Sequence, residues 1–536
     1  MWTSIVAIVW ALSAAIPGVP TGSVVASPAS SAVFVDCSAP TNGVGSQVSP
    51  YNSIPAVNAA RIGPGASVLF RRATTCNGQL NVAASGTAAA PITYGAWGTG
   101  AAPSIQANGN VAAVWMHDVS YVSYVTVQDL TLSASGNNTT ARRGVWLEAT
   151  NSGDHPGIVL QNLTIHDVRG VLPSAMAAAS GGKTPVAAGS ADGKYGGASG
   201  GLVAEALGST RPTSFTGLVI RNNVISSVDR EGIYLWSNWC RRPDLATFWD
   251  SLCTASWHPA TNPVIVGNTL SDIGGDGIAP MTVSGGEVAH NTLSGFNERA
   301  GTTDAGMWAA NTDNLVFEYN VTSGGNTTKD GMAYDVDHST NGIIFQYNVS
   351  YDNDGGFMLI CPYGEGVPGN AKNFTIRYNL SVDDHARDFQ VCSGGAQGGQ
   401  IYNNTFYLPD DLKSGQTLQL FLDPAAKAGS VTVAMTNNVF LRHSTGGTLL
   451  WSVHDPAFSA SHTVVDNVPG PPNATDTITA APELKAPSDG DHNPDDYRPD
   501  PDSPFRFSGA TVPANGGVDF FGTKITDPPI IGFAQN

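Results

Sequence analysis

A short phrase centred on asparagine recurs along the chain and constrains its fold more than any other feature. It reads VIRNNVIS, VIVGNTLS, EVAHNTLS, VFEYNVTS, IFQYNVSY, TIRYNLSV, QIYNNTFY and VAMTNNVF, with apolar residues alternating on both sides of the asparagine. Most successive copies lie in the twenties to low thirties of residues apart, which is typical of a stacked solenoid. Each copy therefore predicts two short strands joined by a bend.

The recurring asparagines have a structural explanation. Asparagine tolerates left-handed backbone angles, and its amide can hydrogen-bond to nearby backbone, so it suits a bend. In stacked coils the side chains would lie one above another and bond along the column. We predict such a ladder, and not a catalytic role, for Asn223, Asn268, Asn291, Asn320, Asn348, Asn379, Asn404 and Asn438.

A second phrase follows the first and completes each coil. It reads EGIYLWS, DGIAPMT, DAGMWAAN, DGMAYDVD, DGGFMLIC and ARDFQVCS, mostly an acidic residue followed by a strand. Charged residues make up only 13% of the chain, while it holds 61 glycines and 34 prolines, which suits a β-rich protein with many turns. Two or more strands per coil, parallel between coils, predict an all-β parallel β-helix.

The two phrases resemble those of the right-handed parallel β-helix proteins of the pectate-lyase-like superfamily, most of which act on polysaccharides. The segment FVDCSAPTNGVGSQVSPYNSIPAVNAARIGPGASVLFRRATTCNGQL resembles the N-terminal cap of secreted members. DYRPDPDSPFRFSGA and GVDFFGTKITDPPIIGFAQ resemble the segment that closes many of them. The resemblance implies a right-handed parallel β-helix with capping segments and a carbohydrate-active function.

The repeat and its flanks divide the chain. We expect a signal peptide at residues 1–26 and an N-terminal cap with the first coils at 27–110. The β-helix is expected at 111–470 and a C-terminal closing segment at 471–536. Two insertions interrupt the helix. Residues 171–200 are rich in glycine, alanine and serine and predict a surface loop or flap. Residues 237–263 contain several tryptophans, which predict either one wall of a sugar-binding groove or a small core of their own.

The N-terminus and the cysteines indicate a secreted, extracellular protein. Residues 5–16 are apolar but too short to span a bilayer, and small residues follow them, as in a signal peptide. No later segment is apolar enough to cross a membrane. Six cysteines allow 15 connectivities, and proximity in sequence favours the pairs Cys37–Cys76, Cys240–Cys253 and Cys361–Cys392.

Asn-x-Ser/Thr sequons are another feature of a secreted chain. We interpret them as potential glycosylation sites on surface turns, with the asparagine ladder as the alternative explanation. They occur at Asn137, Asn138, Asn162, Asn320, Asn326, Asn348, Asn373, Asn379, Asn403 and Asn473.

The strand in DGMAYDVDHSTN carries the strongest indication of chemistry. Asp335 and Asp337 are two apart, so they point to the same side of a strand with their Cα atoms about 7 Å apart. We align the strands on Ile233, Ile278, Met307, Met332, Phe357 and Phe389 as the first inward residues. Asp335 then lies outward in the column of Trp236, Met281 and Ala310. No other aligned strand places acids in these columns.

A line of acids at the turns before these strands adds to the cluster. Most of them are expected to cap turns, because Asp-Gly is ordinary turn chemistry. The exceptions are those nearest the strand acids, so the predicted catalytic set is Asp335, Asp337, Asp304, Asp330 and Asp354. Crowded carboxyl groups supply the difference in pKa that glycoside hydrolysis needs, because one neighbour makes another hold its proton.

Aromatic and polar residues near the acids complete the predicted site. Aromatic faces could stack on sugar rings, and an arginine and a histidine could bind hydroxyl groups. The predicted substrate-binding residues are Tyr234, Trp236, Trp239, Trp308, Arg299 and His338.

Three functions fit these features. The leading hypothesis is a glycoside hydrolase that acts on a polysaccharide or oligosaccharide, without a cofactor. The second is a polysaccharide lyase, with calcium held by the acids or with Arg299, Lys329 or Arg387 neutralising a uronate. The third is a non-catalytic carbohydrate-binding solenoid. The formal charge of −18 argues against nucleic acid as a partner, and we expect a monomer.

Overall fold

The computed structural model describes residues 32–117, 122–137, 139–172, 196–242, 253–362, 370–424, 428–488 and 492–536. Over these ranges the chain is a parallel β-helix, and the paired strands run parallel from coil to coil. The predicted fold class is confirmed. The proposed signal peptide, Asn138 and most of the glycine-rich insertion lie outside the described residues.

Each regular coil contributes a strand to each of three long sheets. Sheet 1 contains Ala32–Val35, Ser67–Arg71, Ile92–Trp97, Val125–Gln128, Val159–Gln161, Val219–Arg221, Val264–Val266, Glu287–Ala289, Val316–Glu318, Ile344–Gln346, Thr375–Arg377, Ala396–Tyr402, Ala371–Lys372, Thr340–Asn341, Val431–Thr436 and Ser459–Ser461. Sheet 2 contains Leu80–Val82, Ala112–His117, Arg143–Thr150, Gly200–Leu207, Glu231–Ser237, Ile278–Pro280, Met307–Ala309, Met332–Asp337, Gly356–Cys361, Phe389–Val391, Thr417–Leu422 and Thr448–Ser452.

Sheet 3 closes the coil, and it follows sheet 1 after the asparagine bend. It contains Thr75–Asn77, Ser104–Gln106, Thr131–Ala134, Thr164–Val168, Val224–Val228, Thr269–Ile273, Thr292–Phe296, Val321–Gly325, Val349–Tyr351, Leu380–Val382, Thr405–Tyr407, Val439–Leu441, Val464–Asp466 and Ile478–Thr479. A small fourth sheet contains Asp154–Pro156, Ser214–Thr216, Ala260–Thr261 and Val283–Ser284. The described helical elements are an α-helix at Ile54–Asn58 and a 3₁₀ turn at Pro494–Tyr497.

The asparagine ladder forms as predicted between sheets 1 and 3. Each Nδ2 donates to the Oδ1 of the next asparagine at 2.9 or 3.0 Å, from Asn223 through to Asn438. The same Oδ1 also accepts the backbone N–H of the preceding asparagine, as between Asn320 and Asn348 at 2.9 Å. All eight side chains are buried, so the ladder satisfies a column of polar groups inside the protein.

The left-handed backbone position differs from the one that the sequence suggested. It belongs to the residue before each ladder asparagine, with φ between 52° and 66° at Asn222, Gly267, His290, Tyr319, Tyr347, Tyr378, Asn403 and Asn437. The chain turns at that residue, and the side chain of the following asparagine points into the protein. The sequons at Asn320, Asn348 and Asn379 are therefore buried ladder residues and not surface acceptors, and Asn403 is buried beside them.

Apolar side chains from the three long sheets fill the interior of the helix. In sheet 2 the inward residues align as Ile233, Ile278, Met307, Tyr334, Met358 and Phe389, and all are fully buried. The C-terminal segment folds back over the outside of the last coils, where Phe505, Ile530 and Phe533 cover apolar residues of sheet 3. Its boundaries, like those of the other predicted segments, stay a prediction.

The three predicted disulfides are confirmed: Cys37–Cys76, Cys240–Cys253 and Cys361–Cys392. The first ties the start of the chain to an early coil, and the other two lie on the outside of sheet 2. Within the described ranges, the helices are too short to cross a membrane.

The ladder gives a stability prediction. Replacing Asn320 by alanine leaves the backbone N–H of Asn291 and one of its two Nδ2 hydrogens without an acceptor, since the other Nδ2 hydrogen still bonds to the Ile265 carbonyl. We expect Asn320→Ala to lower the free energy of unfolding by about 3 kcal/mol, because each buried group left unbonded costs about 1–3 kcal/mol. Guanidinium denaturation measures this. The control, Asn326→Ala, removes an exposed asparagine of the same coil and is expected to change little; equal effects of the two would contradict the ladder's role.

Candidate active site

The strand Met332–Asp337 lies in sheet 2 between the strands Met307–Ala309 and Gly356–Cys361. Trp308 is the register partner of Asp335 on one side, and Leu359 is its partner on the other. Asp337 pairs with Cys361. Since Tyr334 and Val336 point into the core, both aspartates point outward, as predicted.

The predicted strand alignment is wrong by two residues at this coil. Tyr334, and not Met332, is the partner of Met307, while Met332 packs outside against Leu359 and Cys361. The acidic turn residues Asp304 and Asp330 are register partners, as are Met307 and Tyr334. Met307 follows Asp304 by three residues, whereas Tyr334 follows Asp330 by four, so this coil has one extra residue. The extra residue is taken up as an irregularity at the start of the strand. Asp335 consequently lies in the column of Trp308.

The two strand carboxyl groups are largely enclosed. Asp335 is 5% exposed and Asp337 is 7% exposed, although both lie on the outer face of the helix. A strand places them on one face with Cα atoms about 7 Å apart. Because acids are rarely buried to this degree without a functional or structural reason, this pair is the natural centre of a candidate site.

His338 follows Asp337 directly and contacts its carboxylate. Its Nδ1 lies within hydrogen-bonding distance of Asp337 Oδ1, and its backbone N–H donates to the same oxygen at 2.7 Å. Its ring is buried against the acid, and its role in binding sugar hydroxyls stays a prediction. The structure thus joins Asp337 and His338 into one unit.

The insertion at 237–263 is fastened beside this unit. Arg242 donates to both carboxylate oxygens of Asp313 at 3.0 and 3.1 Å and to the Ser339 carbonyl at 3.4 Å. Its guanidinium also lies 4.5 Å from the ring centre of Trp257. Asn311 Nδ2 donates to the Cys240 carbonyl at 3.0 Å. These contacts hold the disulfide-linked insertion against the coil that carries the acids.

The predicted aromatic residues form a small core and not an open sugar-binding surface. Tyr234, Trp236 and Trp308 are no more than 4% exposed and pack with the Cys240–Cys253 disulfide and Ala198. Trp239 is equally enclosed, and its indole donates to the Leu207 carbonyl at 3.0 Å. Sequence reasoning took their outward columns as exposed, because it could not show that Ala198 and the Cys240–Cys253 disulfide pack against this face.

Asp304 belongs to a buried ion cluster centred on an arginine that sequence reasoning overlooked. Arg230 is fully buried and lies 2.5 Å from Asp304 Oδ1, 3.3 Å from Asp276 Oδ2 and 3.5 Å from Glu231 Oε1. Asp276 also accepts the indole N–H of Trp308 at 2.9 Å. The acids of the turn column are therefore joined by one shared cation here, and we assign Asp304 a structural role.

The other predicted polar residues lie at the same corner between sheets 3 and 2. Asp330 is half-buried, and the next coil's Asp354 is exposed. Arg299 is not directed at a substrate, since Nε donates to Asp229 at 2.9 Å and the guanidinium also pairs with Asp272. The structure therefore brings Asp335, Asp337 and His338 together and places Arg299 in a separate ion pair.

One described group could hold a metal ion by the spacing of its ligand atoms. Asp383, His385 and Asp411 offer atoms within 4.8 Å of one another. The group lies at another turn, and none of the five predicted catalytic acids belongs to it. Calcium at the predicted acids stays an untested prediction.

The C-terminal side of the pair carries residues that sequence reasoning left without a role in the leading hypothesis. The column of Asp335 continues through Leu359 to Gln390. The column of Asp337 continues to Cys361, which forms a disulfide with Cys392. Gln390 is half-buried and bonds to Arg387. A corrected register would have placed Gln390 in the column of Asp335, which is the signal that the sequence alignment missed.

Comparisons with known proteins agree with this architecture. No family model matches the chain. It is 27% identical over 444 residues to a lacto-N-biosidase of Bifidobacterium longum subsp. longum, an alignment that covers 68% of this chain. The chain spans about a quarter of the length of that curated relative, of which the alignment covers 26%.

Two solved structures share the fold. The GH136 lacto-N-biosidase from Eubacterium ramulus superposes with a TM-score of 0.58 and 23% identity, covering 84% of this chain and 68% of that one. The complex of XylC with xylose superposes with a TM-score of 0.54 and 10% identity, covering 94% and 98% of the two chains. The resemblance to carbohydrate-active β-helix proteins is thereby confirmed.

The buried ion cluster predicts a large effect at Arg230. Arg230→Met leaves three buried carboxyl groups without their shared cation, and removing one partner of a buried pair costs about 3–5 kcal/mol. We expect a fall of that size in the free energy of unfolding, measured by denaturation. Arg221→Met, which removes an exposed arginine of the same coil, is the control. Unchanged stability in Arg230→Met would contradict the structural assignment of Asp304.

A second prediction concerns Asp388, at the turn before the strand that carries Gln390. Complete burial and the neighbouring Asp384 carboxyl raise the pKa of Asp388 well above its ordinary value. A raised folded-state pKa means that stability is lost as pH increases beyond the unfolded value of about 3.9. Asp388→Asn is therefore expected to raise the thermal midpoint more at pH 7 than at pH 4. An equal change at both pH values would contradict this.

Proposed function

We propose that the protein is a glycoside hydrolase that acts on oligosaccharides, with Asp335 and Asp337 as its catalytic carboxyl groups. The observation that carries the proposal is the enclosed pair of acids on one outer face of the helix. Glycoside hydrolysis ordinarily uses two carboxyl groups that flank the scissile bond. The similarity to a lacto-N-biosidase, whose name denotes a glycosidase, supports the same reaction class.

The surroundings of the two acids suit different roles. Asp335 lies on the outer face between Trp308 and Leu359, and we place the glycosidic oxygen of the substrate at its carboxyl group. Asp337 receives the backbone N–H of His338 and contacts its ring, so its carboxylate is held in one orientation. We assign proton donation to Asp335, and activation of water or direct attack to Asp337.

The docked insertion favours action at a chain end. On the N-terminal side of the acids, the outer face of sheet 2 is covered at Tyr234, Trp236 and Trp308. A long polymer lying along the helix axis would have to displace this cover. An oligosaccharide end entering beside Asp337 would not. The first substrate class to test is therefore lacto-N-biosides, followed by a wider panel of oligosaccharides and polysaccharides.

The alternatives have less support. A lyase needs a cation that neutralises a uronate. Arg299 is already paired with Asp229 and Asp272, while Lys329 and Arg387 are engaged with backbone carbonyls. A carbohydrate-binding solenoid needs exposed aromatic faces, whereas the four predicted rings are buried. The lyase and the carbohydrate-binding solenoid are both outcomes that the activity assay described below distinguishes from a hydrolase.

Secretion is part of the same proposal. Three disulfides form among the six cysteines, and such bonds persist mainly in oxidising surroundings such as the cell exterior. An extracellular location would also give the protein access to oligosaccharides.

The proposal predicts the outcome of replacing either acid. Asp335→Asn and Asp337→Asn should each lower kcat about 10²–10⁴-fold, because that is the usual contribution of a positioned acid or base. Reducing-sugar release from aryl lacto-N-bioside and from the panel measures turnover, and ultraviolet absorbance of an unsaturated product reports a lyase. Thermal unfolding verifies that each variant folds.

The matched control is Asp354→Asn, an exposed acid one coil away, which should keep wild-type activity. Asp330→Asn belongs in the same series, because Asp330 is the half-buried acid of the predicted set. Wild-type turnover in both Asp335→Asn and Asp337→Asn would overturn the site. Activity of the wild type on none of the substrates would overturn the hydrolase proposal.

A further inference from the structure

Gln390 lies on the catalytic face, two coils beyond Asp335. The register runs from Asp335 through Leu359 to Gln390, so its Cα atom lies about 10 Å from that of Asp335 at the usual strand spacing. Phe389 and Val391 on either side of it are buried in the core, which directs the Gln390 side chain outward. The residue is half-buried and therefore accessible from the same face as the acids.

The orientation of the Gln390 amide is fixed by Arg387. Arg387 Nη1 donates to Gln390 Oε1 at 2.6 Å, and a guanidinium can only donate. The carbonyl oxygen of Gln390 is thus turned toward Arg387. Its NH₂ group, which carries two donors, must point the other way.

Arg387 is itself held rigidly. Its Nε donates to the Gly355 carbonyl at 3.2 Å, and its Nη2 donates to the carbonyls of Thr328 and Asp330 at 2.8 and 2.9 Å. One guanidinium therefore ties the turns of three successive coils together. These turns lead into the strands that carry Asp335, Leu359 and Gln390, so the position of Gln390 is fixed relative to the acids.

We propose that Gln390 is a substrate-binding residue whose amide N–H groups donate to a hydroxyl or carbonyl oxygen of the bound saccharide, and that Arg387 is the positioning residue that orients it. The inference rests on the proposed function, because it takes the Asp335 face as the saccharide site. It extends the site to the C-terminal side of the acids, opposite the docked insertion.

Two substitutions separate substrate binding from a structural role. Gln390→Glu keeps an oxygen for Arg387 and strengthens that contact, but it removes both N–H donors. Gln390→Met keeps the length of the side chain and removes donors and acceptor alike. We expect both variants to raise KM about tenfold with kcat nearly unchanged, since a hydrogen bond of about 1–1.5 kcal/mol made equally in ground and transition states is lost. Arg387→Lys should raise KM less than either, because lysine keeps one donor for Gln390.

The matched control is a second arginine–glutamine pair on another sheet. Gln346 Oε1 accepts from Arg377 at 2.8 and 2.6 Å, far along the coil from the acids. Gln346→Met should lower the thermal midpoint without altering KM. Wild-type KM in Gln390→Glu, with a defect only in Gln390→Met, would mean that Gln390 merely holds Arg387 and would overturn the proposal.

Binding measurements keep the inference testable without turnover. Calorimetric titration of the Asp337→Asn protein uses lacto-N-biose first and then the best-binding saccharide of the panel. Adding Gln390→Glu should weaken binding about tenfold. If the wild type binds a saccharide but does not hydrolyse it, the proposed reaction fails while this comparison still decides the role of Gln390. If no saccharide binds, both proposals are overturned.

Discussion

Stacking of successive coils in one register is the constraint on which the rest of this structure depends. The asparagine ladder enforces that register. Each side-chain amide can bond to the asparagine of the next coil only when the two asparagines lie directly one above the other. A shift of one residue would also turn the inward residues of every strand outward. The ladder lies between sheets 1 and 3, so it aligns the coils without occupying the outer face of sheet 2.

That outer face is where the protein departs from its own repeat. The neighbouring strands place Tyr234, Trp308 and Leu359 outward, and an insertion or a disulfide covers them. Compared with its described neighbours in sheet 2, only the strand Met332–Asp337 places two acids on this face. The ion cluster around Arg230 and the carbonyl contacts of Arg387 hold the turns at its edge. Rigid surroundings of this kind keep catalytic groups in position.

Sequence reasoning reached the fold, the ladder and the outward direction of Asp335 and Asp337 from local periodicity, and the disulfides from proximity in sequence. It failed where distant segments meet. The extra residue between Asp330 and Tyr334 shifted the alignment. Trp236 and Trp308 are buried together with Ala198 and the Cys240–Cys253 disulfide, which come from other parts of the chain. The contacts of Arg230 and Arg387 could not be predicted either, because their partners lie on other coils. Arg230 contacts the Asp304 carboxylate, and Arg387 contacts the Thr328 carbonyl.

A crystal structure of the Asp337→Asn protein with a bound oligosaccharide tests the account most directly. The account predicts that the sugar lies on the outer face of sheet 2, with the glycosidic oxygen within hydrogen-bonding distance of Asp335 and the anomeric carbon facing residue 337. The chain end should lie against the insertion that carries Arg242, and another sugar should extend toward Gln390. A saccharide bound elsewhere on the helix, or on this face with its glycosidic bond beyond reach of Asp335, would contradict the assignment of the site.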